Sequence, residues 1–147
     1  MNFLAHAVLA GDDDADRIGG LLGDFVKGPL PAGLPPALAE GVALHRAIDG
    51  FADRHPAFLA SRARVSARRR RVAGVLVDLF YDHLLARDWS SHWPHHHPGH
   101  DAMPLAAYVT GLYAALPEHL PGMPAPAREI AERIRQQNWL LSYRDTA

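Results

Sequence analysis

A chain of 147 residues, of which 48% are apolar and 21% charged, is long enough for one folded domain with a core of useful size. The formal net charge of -1 excludes a bulk charge bias toward nucleic acid or a membrane surface, and the absence of cysteine excludes disulfides, cysteine nucleophiles and thiolate metal sites. The start lacks the basic segment of a signal peptide, and no apolar run approaches the ~18 residues of a membrane-spanning helix, so we expect a cytoplasmic protein.

Helical spacing of apolar residues recurs along the chain, and alternating strand patterns are almost absent. Three segments rich in proline, glycine and histidine, "KGPLPAGLPP", "SSHWPHHHPGHDAMP" and "PEHLPGMPAP", are predicted to be loops. The sequence therefore predicts a single all-α domain over residues 1–147. Its predicted helices, in chain order, cover residues 2–10, 15–26 with Asp14 as N-cap, 36–54, a short segment opened by Pro56, 67–89, 105–116 and 126–143.

The fifth predicted helix contains "VLVDLFYDHLLARDW", which is apolar around nearly its whole circumference. Such a pattern is typical of a central, buried helix. Asp78 and Asp82 nevertheless lie one turn apart on one stripe of it. Burying two unpaired carboxylates costs several kcal/mol each, so we expect a positive group to face them.

Acids and histidines also border the apolar faces of the first three predicted helices. His45 and Asp49 are spaced four apart on the third, Asp24 ends the second, and His6 lies in the first. Carboxylate and imidazole groups from different helices can converge on one divalent cation, and this ligand mixture suits Mn²⁺, Fe²⁺ or Zn²⁺, with Mg²⁺ if oxygens dominate. We expect the ion to be bound by four of these side chains: Asp24, His45, Asp78 and Asp82.

A structural interpretation of the same residues stays open. Asp78 and Asp82 can form ion pairs with Arg46 and Arg54, and His45 can be a hydrogen-bonded core histidine. The protein would then be a helical protein without a metal site.

The chain resembles the bacterial acyl-carrier-protein phosphodiesterases along nearly its whole length. Five segments carry this resemblance in the same order and at similar spacing: "NFLAH" at 2–6, "LLGDFVKG" at 21–28, "LHRAID" at 44–49, "RRVAGVLVDLFYDHLLARDW" at 70–89 and "NWLLSYRD" at 138–145. The resemblance implies a fold similar to the HD-domain phosphohydrolases, with Mn²⁺ as the usual activator. It also implies hydrolysis of the 4'-phosphopantetheine arm from holo acyl carrier protein. From the near-neutral net charge, we expect no nucleic acid or membrane partner.

The resemblance assigns metal-site positions to this chain residue by residue. The aspartate of the family's "DFV" motif corresponds to Asp24, its "HRxxD" pair to His45 and Asp49, and the acids of its long helix to Asp78 and Asp82. Other members continue with a helical segment after "YRD", whereas this sequence ends at Ala147.

Further roles follow from the expected reaction. Asp49 would orient His45 or bind the ion, and His6 or His83 would give a proton to the leaving oxygen. Arg46 would neutralise phosphate charge, or form a plain surface ion pair.

Arginines at 62, 64 and 68–71 form a basic segment. This segment would attract an acidic carrier protein, or it would be a solvated helix face. Its proposed carrier-binding residues are Arg68, Arg69, Arg70 and Arg71.

Other functions compete with this one. The chain could be a metal phosphohydrolase acting on nucleotides or other small phosphodiesters, or a carrier-protein binder without activity.

The histidines of the second predicted loop are expected to be solvated and to bind Zn²⁺ or Ni²⁺ only adventitiously: His92, His95, His96, His97 and His100.

Overall fold

The computed structural model describes residues 2–137, and within this range the chain forms helices and no strand. The all-α prediction is confirmed, although residues 138–143 of the last predicted helix lie outside the described range. No helix in the described range is long and apolar enough to cross a bilayer. The helices are α1 (Phe3–Leu9), α2 (Asp14–Leu22), α3 (Pro36–Ala52), α4 (Pro56–Arg64), α5 (Ala73–Arg87), α6 (Trp89–His96), α7 (Leu105–His119) and α8 (Ala125–Gln137), with short 3-10 segments at Ala67–Val72 and Leu120–Gly122.

The core lies where α1, α2, α3 and α7 meet. Helices α2 and α3 pack with their backbones in contact. A Cβ atom added at Gly19 would lie only 2.5 Å from the carbonyl carbon of Gly41, so only glycine permits this approach. This close approach brings the buried face of α3, which carries His45, directly against the end of α2. Apolar side chains from all four helices fill the surrounding space, among them Leu4, Ile18, Leu38, Val42, Val109 and Leu112.

The prolines at positions 36 and 56 open α3 and α4 as predicted. The second helix differs at both ends. Its N-cap is Asp13, not Asp14, since the Asp13 carboxylate accepts hydrogen bonds from the amides of Ala15 and Asp16 at 2.9 and 3.2 Å. It ends at Leu22, before the predicted end at Val26. Helix α7 runs through Pro117 to His119, past its predicted end at Leu116.

The predicted central position of the fifth helix is wrong. The segment 67–89 divides into a 3-10 segment, α5 and the first residue of α6, and α5 buries only Ala73, Val77, Asp82 and Ala86. An apolar circumference does not specify which side of a helix meets the core. In this protein the core is filled mainly by the other helices. Large apolar side chains of α5 are therefore left between 36% and 64% exposed: Val75, Leu79, Phe80 and Leu84.

The predicted histidine loop is wrong for its first half, because residues 89–96 form α6 despite Pro94 within it, and right for residues 97–104, which form no helix. Trp89 and Trp93, four residues apart, anchor this helix in the core. The indole of Trp93 stacks on the buried ring of His97 at 4.0 Å, and His97 Nδ1 lies 3.0 Å from a carboxylate oxygen of Asp12. Of the other histidines, His95 and His100 are exposed and His92 and His96 are half-buried.

Candidate metal centre

Three side chains from α1 and α3 place potential metal ligands within 4.8 Å of one another: His6, His45 and Asp49. Asp49 joins the two histidines, since its carboxylate oxygens lie 2.9 Å from His6 Nε2 and 3.1 Å from His45 Nε2. The imidazole rings stack with their centroids 3.8 Å apart. We call these three residues the donor cluster.

The orientation of His45 is fixed by the end of α2. Its Nδ1 donates a hydrogen bond to the carbonyl oxygen of Gly20 at 2.9 Å, so the neutral ring has its lone pair on Nε2, the nitrogen that faces the carboxylates. The ring fits only because residue 23 is glycine: a Cβ atom there would lie 2.1 Å from His45 Cγ.

Asp24 adds a fourth potential ligand to the donor cluster. It follows α2 directly, and its Oδ1 lies 3.4 Å from His45 Nε2. Its side chain is 28% exposed, whereas His45 is only 3% exposed, so the cluster lies at the boundary between core and solvent.

The electrostatics of the donor cluster favour a cation. Burial lowers the pKa of His45, but hydrogen bonds to Asp24 and Asp49 outweigh it and raise this pKa to about 9. Burial raises the pKa of Asp49, yet the hydrogen bonds from His45 and His6 hold it well below its usual range. The hydrogen bond from His45 likewise lowers the pKa of Asp24.

A divalent ion fits this arrangement for two reasons. Two imidazoles and two carboxylates form a mixed nitrogen and oxygen ligand set that suits Mn²⁺, Fe²⁺ or Zn²⁺. A bound metal would supply the positive charge that a proton on His45, favoured by its raised pKa, supplies between the two carboxylates. In addition, the Nδ1 atom of His6 is buried and has no hydrogen-bond partner among residues 2–137.

A cavity of about 400 Å³ opens beside Asp49. We call it the Asp49 cavity. Helices α1, α3, α4 and α5 all contribute to its wall, which includes Asp78 of α5.

Comparison with known proteins assigns the family. The sequence model described as "Acyl carrier protein phosphodiesterase" matches residues 1–147. The chain belongs to the acyl carrier protein phosphodiesterase family. Curated proteins of that name from Salmonella agona (strain SL483), Salmonella dublin and Salmonella newport (strain SL254) are each 35% identical over 145 residues, which is 99% of this chain and 72% of each relative. No solved structure matches the chain significantly, so its likeness to the HD-domain phosphohydrolases stays a prediction.

The structure brings together some of the site residues that the family motifs predict. Asp24, His45 and Asp49 come together as the motif positions imply. His6 lies among the potential metal ligands, and its role as a proton donor stays a prediction. No local spacing indicates that His6 meets Asp49, because the two residues are 43 positions apart.

Asp82 lies in a different environment from that predicted. It is fully buried, and its two carboxylate oxygens accept hydrogen bonds from the backbone amides of Leu4 and Ala5 at 3.0 and 2.9 Å. These amides begin α1, so the carboxylate caps that helix and satisfies donors that helix geometry leaves free. The bonds give a reason for burying Asp82 that does not require an ion, and its role as a ligand stays a prediction.

Asp78, the other acid of α5, lines the Asp49 cavity. Burial, together with the negative charges of Asp49 and Asp53, raises its pKa. Asp78 is therefore near the donor cluster, and its role as a metal ligand also stays a prediction.

The remaining predicted residues are not members of the donor cluster. His83 is exposed on α5 and does not line the Asp49 cavity. Arg46 donates a hydrogen bond to the carbonyl of Val26 at 3.0 Å. The arginines of the 3-10 segment are exposed: Arg68, Arg69, Arg70 and Arg71.

Proposed function

We propose that this chain is a divalent-metal-dependent phosphodiesterase, with Mn²⁺ as the preferred ion. It releases 4'-phosphopantetheine from holo acyl carrier protein by hydrolysing the phosphodiester at the carrier's serine, which leaves apo carrier protein. The observation that carries this proposal is the donor cluster at the edge of a cavity, in a member of a phosphodiesterase family.

His6, His45, Asp49 and Asp24 would hold the ion. When bound, a divalent ion supplies polarisation of the phosphoryl oxygen and a lowered pKa for water. The chain's own contribution is to position the ligands. Asp49 contacts both imidazole rings, and the carbonyl of Gly20 holds the His45 tautomer that leaves Nε2 free for the ion.

The carrier protein would bind at a groove on the far side of Tyr81. This groove has a volume of about 610 Å³, and Tyr81 lines both it and the Asp49 cavity. Arg64 and Arg69 lie beside Leu76 and Phe80 in its wall. A surface that combines apolar and basic side chains fits an acidic, amphipathic helix of the kind that carrier proteins present.

The direct test is incubation of the protein with holo carrier protein and Mn²⁺, followed by mass spectrometry of the carrier. We expect loss of the prosthetic group with Mn²⁺ and none with excess chelator. His45→Ala should abolish the loss, whereas His95→Ala, which removes an exposed histidine of α6, should not. Cyclic and linear nucleotides incubated in parallel should be hydrolysed far more slowly.

Three outcomes would contradict the proposal. An unchanged carrier mass with every divalent ion tried would rule out the reaction. Activity that survives complete chelation would rule out the metal. Faster turnover of nucleotides than of holo carrier protein would make the chain a phosphohydrolase of small molecules.

A further inference from the structure

We infer that the Asp49 cavity is the subsite for the pantetheine part of the arm, an inference that rests on the proposed function. Asp49 belongs both to the donor cluster and to the cavity wall. A phosphate bound at the donor cluster therefore has the cavity directly beside it. The volume of about 400 Å³ lies within the ~300–1,000 Å³ range of small-molecule sites.

The wall of the cavity matches the chemistry of this arm. Pantetheine carries a dimethyl group, a hydroxyl, two amides and a thiol, and has no formal charge. The cavity offers apolar surface from Leu9, Ile48, Phe51 and Phe58. Polar side chains between these surfaces can pair with amide and hydroxyl groups: Asn2, His55 and Tyr81.

The charge of the wall selects against a more anionic ligand. Asp49, Asp53 and Asp78 all line the cavity, and no lysine or arginine is among its lining residues in the described part of the chain. A nucleotide or coenzyme A would bring further phosphates into this negative environment, where like charges repel. The cavity therefore favours a neutral chain attached to one phosphate at the metal end.

Phe51 provides a sharp test, because its side chain is 68% exposed and its truncation should not disturb the core. We expect Phe51→Ala to raise the inhibition constant of free 4'-phosphopantetheine, the product, about fivefold through lost apolar contact. The matched control is Leu79→Ala, which truncates an exposed apolar residue of α5 that does not line the cavity. The inhibition constant of 4'-phosphopantetheine for Leu79→Ala should equal that for the wild-type protein.

A second comparison tests the charge argument with ligands of equal phosphate content. 4'-Phosphopantothenate ends in a carboxylate where phosphopantetheine continues as a neutral amide. Its inhibition constant should be at least threefold higher than the value expected for the atoms that it shares with phosphopantetheine. Asp53→Asn should remove most of that difference in inhibition constant, because the substitution removes one negative charge from the wall.

Failure of this inference is separable from failure of the proposed function. Release of the arm by the wild-type protein tests the function. An active enzyme whose inhibition constants are unchanged by Phe51→Ala, or changed equally by Leu79→Ala, would overturn the subsite alone. If the wild-type protein releases no arm, calorimetric titration of the Mn²⁺-loaded protein with free phosphopantetheine decides: weaker binding only in Phe51→Ala supports the subsite, and equal binding in all three proteins overturns it.

Discussion

Substituting Gly23 by alanine perturbs the donor cluster without removing any of its ligands. The new Cβ atom would lie 2.1 Å from His45 Cγ, whereas ordinary contact begins at 3.4 Å, so the ring has to move by about the difference, 1.3 Å. Gly23 has an ordinary helical backbone conformation with φ of -53°, which alanine also adopts. The perturbation is therefore steric and acts on His45.

The size of the effect follows from what His45 contacts. A shift of this size breaks its 2.9 Å hydrogen bond to Gly20 and lengthens its contacts with Asp24 and Asp49. Forcing extra volume into a packed site costs about 1–3 kcal/mol, or roughly 3–10 °C in melting temperature for a domain of this size. Misorientation of a metal-binding histidine lowers metal affinity about 10- to 100-fold.

The assay pairs thermal denaturation with calorimetric titration of Mn²⁺ into the folded variant. Gly74→Ala in α5 is the matched control, because a Cβ atom there meets nothing within 4 Å. The control should bind Mn²⁺ like the wild-type protein and be equally or slightly more stable, since alanine favours helix. If Gly23→Ala binds Mn²⁺ with wild-type affinity, His45 is not a ligand to the ion.

Three further predictions follow from the structure. Asp82→Ala should destabilise the metal-free protein by about 2–4 kcal/mol in thermal denaturation, because it leaves the buried amide of Leu4 and the part-buried amide of Ala5 without their acceptor. Unchanged stability combined with lost Mn²⁺ binding would show that Asp82 is a ligand instead. The folded-state pKa of His45 is raised from 6.5 to about 9, so its contribution to the stability of the metal-free protein is complete below pH 6.5 and is lost as the pH rises through 9. Denaturation curves should show this loss, and the stabilisation by added Mn²⁺ should grow over the same interval, because the ion replaces the proton; a stabilisation by Mn²⁺ that is independent of pH would contradict this. Reversing Arg69 and Arg70 to glutamate should lower kcat/KM for holo carrier protein about tenfold at low salt, with a smaller effect at high salt. An unchanged rate at low salt would show that the basic segment does not bind the carrier.

The sequence by itself determined the elements whose signals are local. Prolines at helix starts placed α3 and α4, and the absence of alternating patterns gave the all-α class. The spacing of His45 and Asp49 put both on one side of α3, and the structure shows them 3.1 Å apart. Family motifs spread along nearly the whole chain indicated the family, whose sequence model matches residues 1–147.

Only the tertiary structure decided which helix faces meet. Asp78 and Asp82 share a stripe of α5, yet one lines a cavity and the other accepts hydrogen bonds from the amides of α1. The apolar circumference of α5 predicted burial, but exposed residues such as Phe80 lie on a side that no helix covers within residues 2–137. Periodicity along a chain specifies the face of a helix, whereas the partner of that face depends on packing among segments far apart in sequence, such as α1 and α3 at the donor cluster.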